Sequence, residues 1–384
     1  MVYATALPTR SLYIHWPFCP YRCHFCPFVA LAGQDQFMEQ YHNALIREIT
    51  AFGQRLPTPA SIDTIFIGGG TPSTYPPDLL LDMVGILKSV GIVHANTECT
   101  LEVNPGTVTD EKIAAWAAAG INRLSIGVQS LKDSALKNLN RHQSAQDVYT
   151  VLNRVKGIFT NVSVDIIVGL PGVTDEEWKA LINTVVTWPI THLSMYFLTV
   201  HEQTPLYFRV KQGELALPCD DAVVDLYYWS RDVLAAHGLQ QYEISSFARN
   251  GYACRHNSVY WERKPYKGFG LGAHSFDGTS RFYNEKNIMK YMTSIHDHGD
   301  ATVFAETLSR EQAHNERVML GLRRVHGMPM NEVFQDLTSS EQMRVQKRVA
   351  ELIQHGWLHQ EDEWLKLTPK GLSVENHIAL QLSC

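Results

Sequence analysis

The stretch Tyr13-Ile-His-Trp-Pro-Phe-Cys19-Pro-Tyr-Arg-Cys23-His-Phe-Cys26-Pro-Phe28 puts three cysteines inside eight residues, spaced C-x3-C-x2-C. The apolar run Leu12–Trp16 reads as a short strand that Pro17 ends, so the cysteines fall on a loop at its C-terminal end. A loop this short wraps three thiolates around one compact inorganic object. Cysteine runs of this density are the usual holders of a 4Fe-4S cluster. Ligation by Cys19, Cys23 and Cys26 alone leaves one iron open, as catalytic zinc sites keep one position for a reactant. A structural zinc ion would need a fourth ligand, for which His15 and His24 are candidates. Zinc ligands normally come as two separated pairs, however, and no second Cys/His pair follows. A disulfide would leave one cysteine over, and nothing points to an oxidising compartment.

Downstream, apolar runs alternate with helix-periodic segments. The strand candidates are Leu12–Trp16, Thr64–Ile67, Thr100–Val103, Arg123–Val128, Ser163–Val168 and His192–Leu198. Helix candidates lie near 36–54, 77–90, 109–119, 145–157 and 174–187. Such alternation implies a parallel sheet with helices outside. Six units predict an α/β fold, a partial (β/α)6 barrel of the TIM type, with its chemistry at the C-terminal ends of the strands.

Polar and glycine-rich motifs fall at those ends. Gly68-Gly69-Gly70-Thr71 follows the second strand, where glycines let the backbone approach a ligand and offer it N–H groups; a tight turn is the default reading. Glu102 stands in the third strand, where an unpaired carboxylate would be costly and a buried ion pair is the plain alternative. Gln129 ends the fourth strand, Arg141 follows with a fork of donors suited to a carboxylate, and Asp165 lies in the fifth strand. Further on, His256-Asn257-x-x-Tyr260-Trp261 joins an imidazole to a large aromatic surface, as a flat macrocycle with a central iron requires. A buried histidine beside core aromatics is the plain alternative. His274 is a second, weaker candidate.

Helix 219–236 and a strand at Gln241–Phe247 precede a change of pattern near residue 300. Helix candidates 309–323, 329–336 and 340–354 then lead to two short strands, Gly356–Leu358 and Trp364–Thr368. We therefore expect a core over 1–300, including a β extension around 239–276, and a C-terminal α+β winged-helix-like domain over 301–384. A chain of 384 residues is long enough for this division. Winged helices often bind DNA, but a net charge of −6 and no basic stripe argue against nucleic acid.

No run of eighteen or more apolar residues occurs, and Met1–Arg10 lacks the features of a signal peptide. With three of seven cysteines clustered, this predicts a reducing, cytoplasmic location. The scattered Cys99, Cys219, Cys254 and Cys384 read as ordinary free thiols.

The C-x3-C-x2-C motif, with an aromatic before the last cysteine, resembles the signature of the radical S-adenosylmethionine (SAM) superfamily. The flanking Tyr-Ile-His-Trp-Pro-Phe resembles the oxygen-independent coproporphyrinogen III oxidase branch, and within it the radical SAM haem chaperones. The likeness runs along essentially the whole chain. It implies a 4Fe-4S cluster on Cys19, Cys23 and Cys26, and SAM held by Tyr13, Gly69, Gly70, Thr71, Glu102, Gln129, Arg141 and Asp165. It also implies one-electron cleavage of SAM to methionine and a 5′-deoxyadenosyl radical. The chaperone reading makes His256 the haem ligand. It implies an electron donor and a respiratory haem-acceptor protein as partners, leaving room for a homodimer and for a membrane-peripheral position through the acceptor.

Two alternatives belong to other classes. One is the coproporphyrinogen III dehydrogenase, and the other is radical SAM chemistry such as methyl transfer or cyclopropanation. The dehydrogenases carry another cysteine two positions after the third, where this chain has Phe28, and a longer segment before the cluster loop than the twelve residues preceding Tyr13. Both features favour the chaperone. Pro27, where such chaperones often carry Asp, and Phe197, where many relatives are polar, keep the third reading open.

Overall fold

Six strands are largely buried on both faces, as in a parallel sheet covered on both sides, with Leu, Ile and Val on one face and mostly polar residues such as Thr64, Thr100, Arg123, Ser163 and His192 on the other. In the computed structural model, which describes residues 9–55, 61–90 and 92–384, they are β1 (Ser11–Trp16), β2 (Ser61–Gly69), β3 (Ile92–Val103), β4 (Arg123–Gln129), β5 (Asn161–Val168) and β6 (His192–Phe197). They pair in chain order and in parallel throughout. The expected helices appear between them: α1 (Met38–Gly53), α2 (Pro77–Val90), α3 (Asp110–Ala119), α4 (Ala145–Val155) and α5 (Asp175–Val185). Capping boxes at Ser144/Asp147 and Thr174/Glu177 fix where α4 and α5 begin.

The sheet continues past this core at both edges. After helix α6 (Asp220–Ala236), the segment expected as one strand over 241–247 is a hairpin, β7 (Gln240–Glu243) and β8 (Ser246–Ala248). The Glu243 carboxylate accepts the Ser245 N–H at 3.0 Å and turns the chain there. β8 joins β6 antiparallel, while at the other edge β9 (Lys267–Phe269) joins β1 in parallel. The residues 256–261 lie on helix α7 (Arg255–Trp261). A separate antiparallel sheet comprises β10 (His274–Phe276), β11 (Ser280–Asn284) and β12 (Thr302–Thr307), with helix α8 (Ile288–His298) between the last two.

The C-terminal part has the winged-helix pattern. Helices α9 (Arg310–Leu322) and α10 (Ser339–Gln354) pack on a three-stranded antiparallel sheet. Its strands are β13 (Met328–Pro329), β14 (Leu358–Glu361) and β15 (Trp364–Leu367), in the order β13-β15-β14. The helix expected over 329–336 shortens to Met330–Val333 because Met328 and Pro329 pair with β15. Val318, Leu322, Val349, Leu352 and Leu365 form a core distinct from the barrel's, into which Ile244 of the β7–β8 turn also packs.

Candidate functional site: a cysteine loop over the strand ends

β1 delivers the cysteine loop from a rigid base. Trp16 is fully buried, stacks on Tyr75 at 3.7 Å between ring centroids, and donates its indole N–H to Thr74. The loop is tied by backbone bonds from Leu31 N–H to the Pro17 carbonyl (2.8 Å) and from His24 N–H to the Leu139 carbonyl (2.9 Å). Asn140 Nδ2 donates to the Arg22 carbonyl at 2.8 Å. Cys19 and Cys23 are buried and Cys26 is half-buried. The Thr71 hydroxyl donates to Cys19 Sγ at 3.2 Å, and Arg141 Nη1 donates to Cys23 Sγ at 3.6 Å. Burial pushes the Cys19 thiol up to about 11 and also raises that of Cys26.

The loop covers a cavity of about 440 Å³ at the C-terminal ends of the strands. Seven of the eight residues expected at SAM line it: Gly69, Gly70, Thr71, Glu102, Gln129, Arg141 and Asp165. Cys23 and Cys26 line it too, whereas Cys19 sits beside Thr71 without doing so. Tyr13 is elsewhere. It lines a second cavity of about 350 Å³, which shares Pro27 and Phe28 with the first.

The chain uses these groups differently from the sequence expectation in two places. The glycine turn keeps its N–H groups: Gly69 donates to Glu102 Oε2 (3.1 Å), Gly70 to the Trp16 carbonyl (2.8 Å) and Thr71 to the Phe18 carbonyl (2.9 Å). What the turn offers a ligand is therefore the carbonyls of Gly69 and Gly70, since that of Thr71 already accepts from Thr74 N–H and Oγ1, with Glu102 beside them. Arg141 likewise donates from Nε to Gln143 (2.9 Å), from Nη2 to the Gly127 carbonyl (2.5 Å) and from Nη1 to Cys23. Three of its five N–H groups are thus engaged within the protein.

The carboxylates are strongly perturbed by their surroundings. Burial, and then the neighbouring Asp165, push the Glu102 carboxyl up to about 8. Burial raises Asp165 as well, against a bond from Ser125 Oγ to Oδ2 at 2.9 Å. Asp165 Oδ1 is buried with no hydrogen-bond partner among the described residues. A buried acceptor left unpaired is costly, and a polar ligand with donors would relieve it.

The residues therefore fit a cluster with an organic ligand beside it. Sulfur atoms receive hydroxyl and guanidinium donors, as thiolates require, and carboxylates await donors nearby. Among the described residues no three His, Cys, Asp or Glu side chains group tightly enough for a single metal ion. Nor does His15 have a free nitrogen for zinc, because Nδ1 meets Tyr13 Oη (3.1 Å) and Nε2 meets the Val29 carbonyl (2.8 Å).

His256 lies outside both cavities. It is 1% exposed; Nδ1 meets Thr64 Oγ1 at 2.8 Å and Nε2 meets Tyr260 Oη at 2.9 Å. Burial, with the Arg123 cation near, lowers its pKa to about 3, so the ring is neutral. An iron could reach either nitrogen only by displacing one of these bonds.

Sequence reasoning missed Tyr196 and Tyr21. Tyr196 lines the cavity beside Phe197 at the end of β6, a position that could have marked it. Tyr21 Oη accepts from Asn104 Nδ2 at 2.8 Å, a link that no local pattern announces.

Gly70 gives a direct test of how tightly loop and turn interlock. A Cβ there would lie 2.4 Å from the Pro17 carbonyl oxygen and 2.6 Å from its carbon. Both are backbone atoms two residues before Cys19, so Gly70→Ala forces the loop away. We expect a loss of about 1–3 kcal/mol in stability together with lower iron content. Wild-type values for both in thermal melts and iron analysis would refute the close packing.

Comparison with known proteins agrees with this picture. Residues 13–185 match the Radical SAM superfamily, and residues 308–374 match the HemN C-terminal domain. The chain is 32% identical over 371 residues to the protein named heme chaperone HemW of Bacillus subtilis, covering 96% of this chain and 98% of that one. It is 33% identical to a mouse protein named radical S-adenosyl methionine domain-containing protein 1, mitochondrial, covering 98% and 88%. Among solved structures, the coproporphyrinogen III oxidase HemN of Escherichia coli superposes with a TM-score of 0.85 at 24% identity, covering 99% of this chain and 91% of that one. At that identity the likeness speaks for the fold.

Proposed function

Since the chain belongs to the HemW family of heme chaperones within the radical SAM superfamily, we propose that it binds haem and delivers it to a respiratory haem protein. Membership of the superfamily implies the 4Fe-4S cluster and SAM. In this reading Cys19, Cys23 and Cys26 hold the cluster. Gly69 and Gly70 present carbonyl acceptors to SAM, Thr71 lines the seat while its hydroxyl serves Cys19, Glu102 and Asp165 accept SAM's donors, and Gln129 and the remaining N–H groups of Arg141 complete the seat. Tyr13 reaches SAM only from the neighbouring cavity. When bound, the reduced cluster supplies the electron for cleaving a carbon–sulfur bond of SAM. The chain's part is to hold the loop over the strand ends, direct Thr71 and Arg141 at sulfur, and keep Glu102 and Asp165 in a poorly solvated pocket.

The observation that carries the chaperone over the dehydrogenase is Phe28. It stands where the dehydrogenase-like branch has a fourth cysteine, and it is 64% exposed, an apolar surface at the rim of both cavities. We place the division of core from winged-helix domain after β12, which pairs with β11 although it lies beyond residue 300. A cytoplasmic location, an electron-donor partner, no nucleic-acid partner and membrane association only through the acceptor complete the proposal. No helix among the described residues is long and apolar enough to cross a membrane.

The test is anaerobic. The cluster is reconstituted, and the protein meets coproporphyrinogen III with SAM and a reductant in one vessel and haem in another. Haem binding without decarboxylated product is the expected result. Turnover to product would make the protein an oxidase despite Phe28.

A further inference from the structure

The second cavity is unlike the first. Its walls are Tyr13, Phe28, Tyr260 and Tyr266, with His274 and Lys286 at its edge. At about 350 Å³ it is in the size range of small-molecule sites. Tyr260 and Tyr266 meet edge-to-face at 4.7 Å, forming a fixed apolar corner. The cavity adjoins the cluster loop through Pro27 and Phe28 but takes in none of the cysteines.

Two polar groups at this cavity are uncommitted. His274 is exposed, and its ring contacts Tyr283 at 5.0 Å between centroids. No hydrogen bond to its ring nitrogens occurs among the described residues, in contrast to His15 and His256, whose nitrogens are all engaged. The Lys286 ammonium lies 5.1 Å from the centre of the Tyr283 ring, and no carboxylate pairs with it among the described residues. An aromatic wall, an imidazole with a free lone pair and an unpaired cation together suit one ligand class: a flat, carboxylate-bearing macrocycle with a central iron.

We infer that this cavity is the haem seat, with His274 as the axial ligand and Lys286 facing a propionate. The inference rests on the haem-binding reading above and assigns the ligand to a different residue from the one the sequence suggested. The His256-to-Tyr260 block then serves the site indirectly. His256 holds the Tyr260 hydroxyl and so sets one wall, which makes it a positioning residue. A seat with an exposed ligand also leaves the haem open for transfer.

The experiment uses the full chain with its cluster reconstituted, and titrates hemin by difference spectroscopy. His274→Ala should lose the axial-ligand signature and roughly tenfold or more in affinity, and added imidazole should restore the spectrum, which a misfolded variant would not allow. Lys286→Glu should weaken hemin binding but not binding of hemin dimethyl ester, which has no propionate charge. His256→Gln should retain the axial-ligand spectrum. Wild-type ligation and affinity in His274→Ala, or loss of the ligand signature in His256→Gln alone, would overturn the assignment while leaving the chaperone reading intact. Failure of the wild-type chain to bind hemin at all would overturn both.

Discussion

Replacing Cys19, Cys23 and Cys26 together by alanine should give a folded protein with no cluster iron, no acid-labile sulfide and no brown colour. The loop does not depend on its sulfurs for its course. Leu31, His24 and Asn140 hold it through hydrogen bonds to or from the backbone, and Trp16 and Phe18 anchor its start in the core. Thermal melts should therefore show a cooperative transition, with the far-UV spectrum unchanged. Of the two histidines near the loop, His15 is fully engaged, and His24 Nδ1 faces the Arg209 guanidinium at 3.4 Å. Since thiolate ligation is what holds such clusters, the loss should be complete. SAM binding should fall with it, because the open iron is gone. Retention of iron and colour in the triple variant would mean that the assignment of these cysteines is wrong.

The parts of the molecule legible in the sequence are those governed by local pattern. β2, β4 and β5 read as strands because alternating Leu, Ile and Val mark their helix-facing side, and the helices expected near 145–157 and 174–187 followed from periodicity, although sequence reasoning missed the capping boxes that fix their starts. The first part of β3 was not legible, since Asn96, Thr97 and Glu98 break the apolar run. The reason lies far away in sequence: Glu98 accepts the backbone N–H groups of Arg255 and His256, at 3.0 and 2.9 Å. The site shows the same limit. Position in or just after a strand's C-terminal half brought Gly69, Gly70, Thr71, Glu102, Gln129 and Asp165 to one cavity, and Arg141 joins them from the segment before α4. The use each residue makes of its polar atoms depends on partners that spacing cannot reveal. Arg141 spends much of its fork on Gly127, Gln143 and Cys23, and His256 has Thr64, 192 positions earlier, on one nitrogen. The exposed Phe28 was read only as a missing cysteine, although it also forms part of both cavity walls.

Glu102→Gln should stabilise the ligand-free protein and weaken SAM binding at the same time. The Glu102 carboxyl has its usual value of 4.5 in the unfolded chain and about 8 in the fold, because burial and Asp165 disfavour its charge. Between those values the folded state holds a proton that the unfolded state has released. Stability contributed by this group is therefore present at low pH and falls as pH rises through the window, by up to about 1.4 kcal/mol per pH unit. Above about 8 the loss is constant. Glutamine cannot ionise, yet it keeps an oxygen for the Gly69 N–H. Melting of the variant should match wild type near the lower end of the window and exceed it increasingly toward the upper end. The cost should appear at SAM, which loses an acceptor that becomes charged as pH rises to about 8; hydrogen bonds to charged groups contribute roughly 1.5–3 kcal/mol, so the loss should approach about ten- to a hundredfold in affinity toward the upper end of the window. Calorimetric titration of SAM against melts over the same pH range separates the two effects. Equal SAM affinity would remove Glu102 from the binding seat, and parallel melting curves would show that the carboxylate is already charged in the folded protein. Either result would leave the cluster assignment untouched, because the Glu102 carboxylate bonds to the Gly69 N–H and to none of the three cysteines.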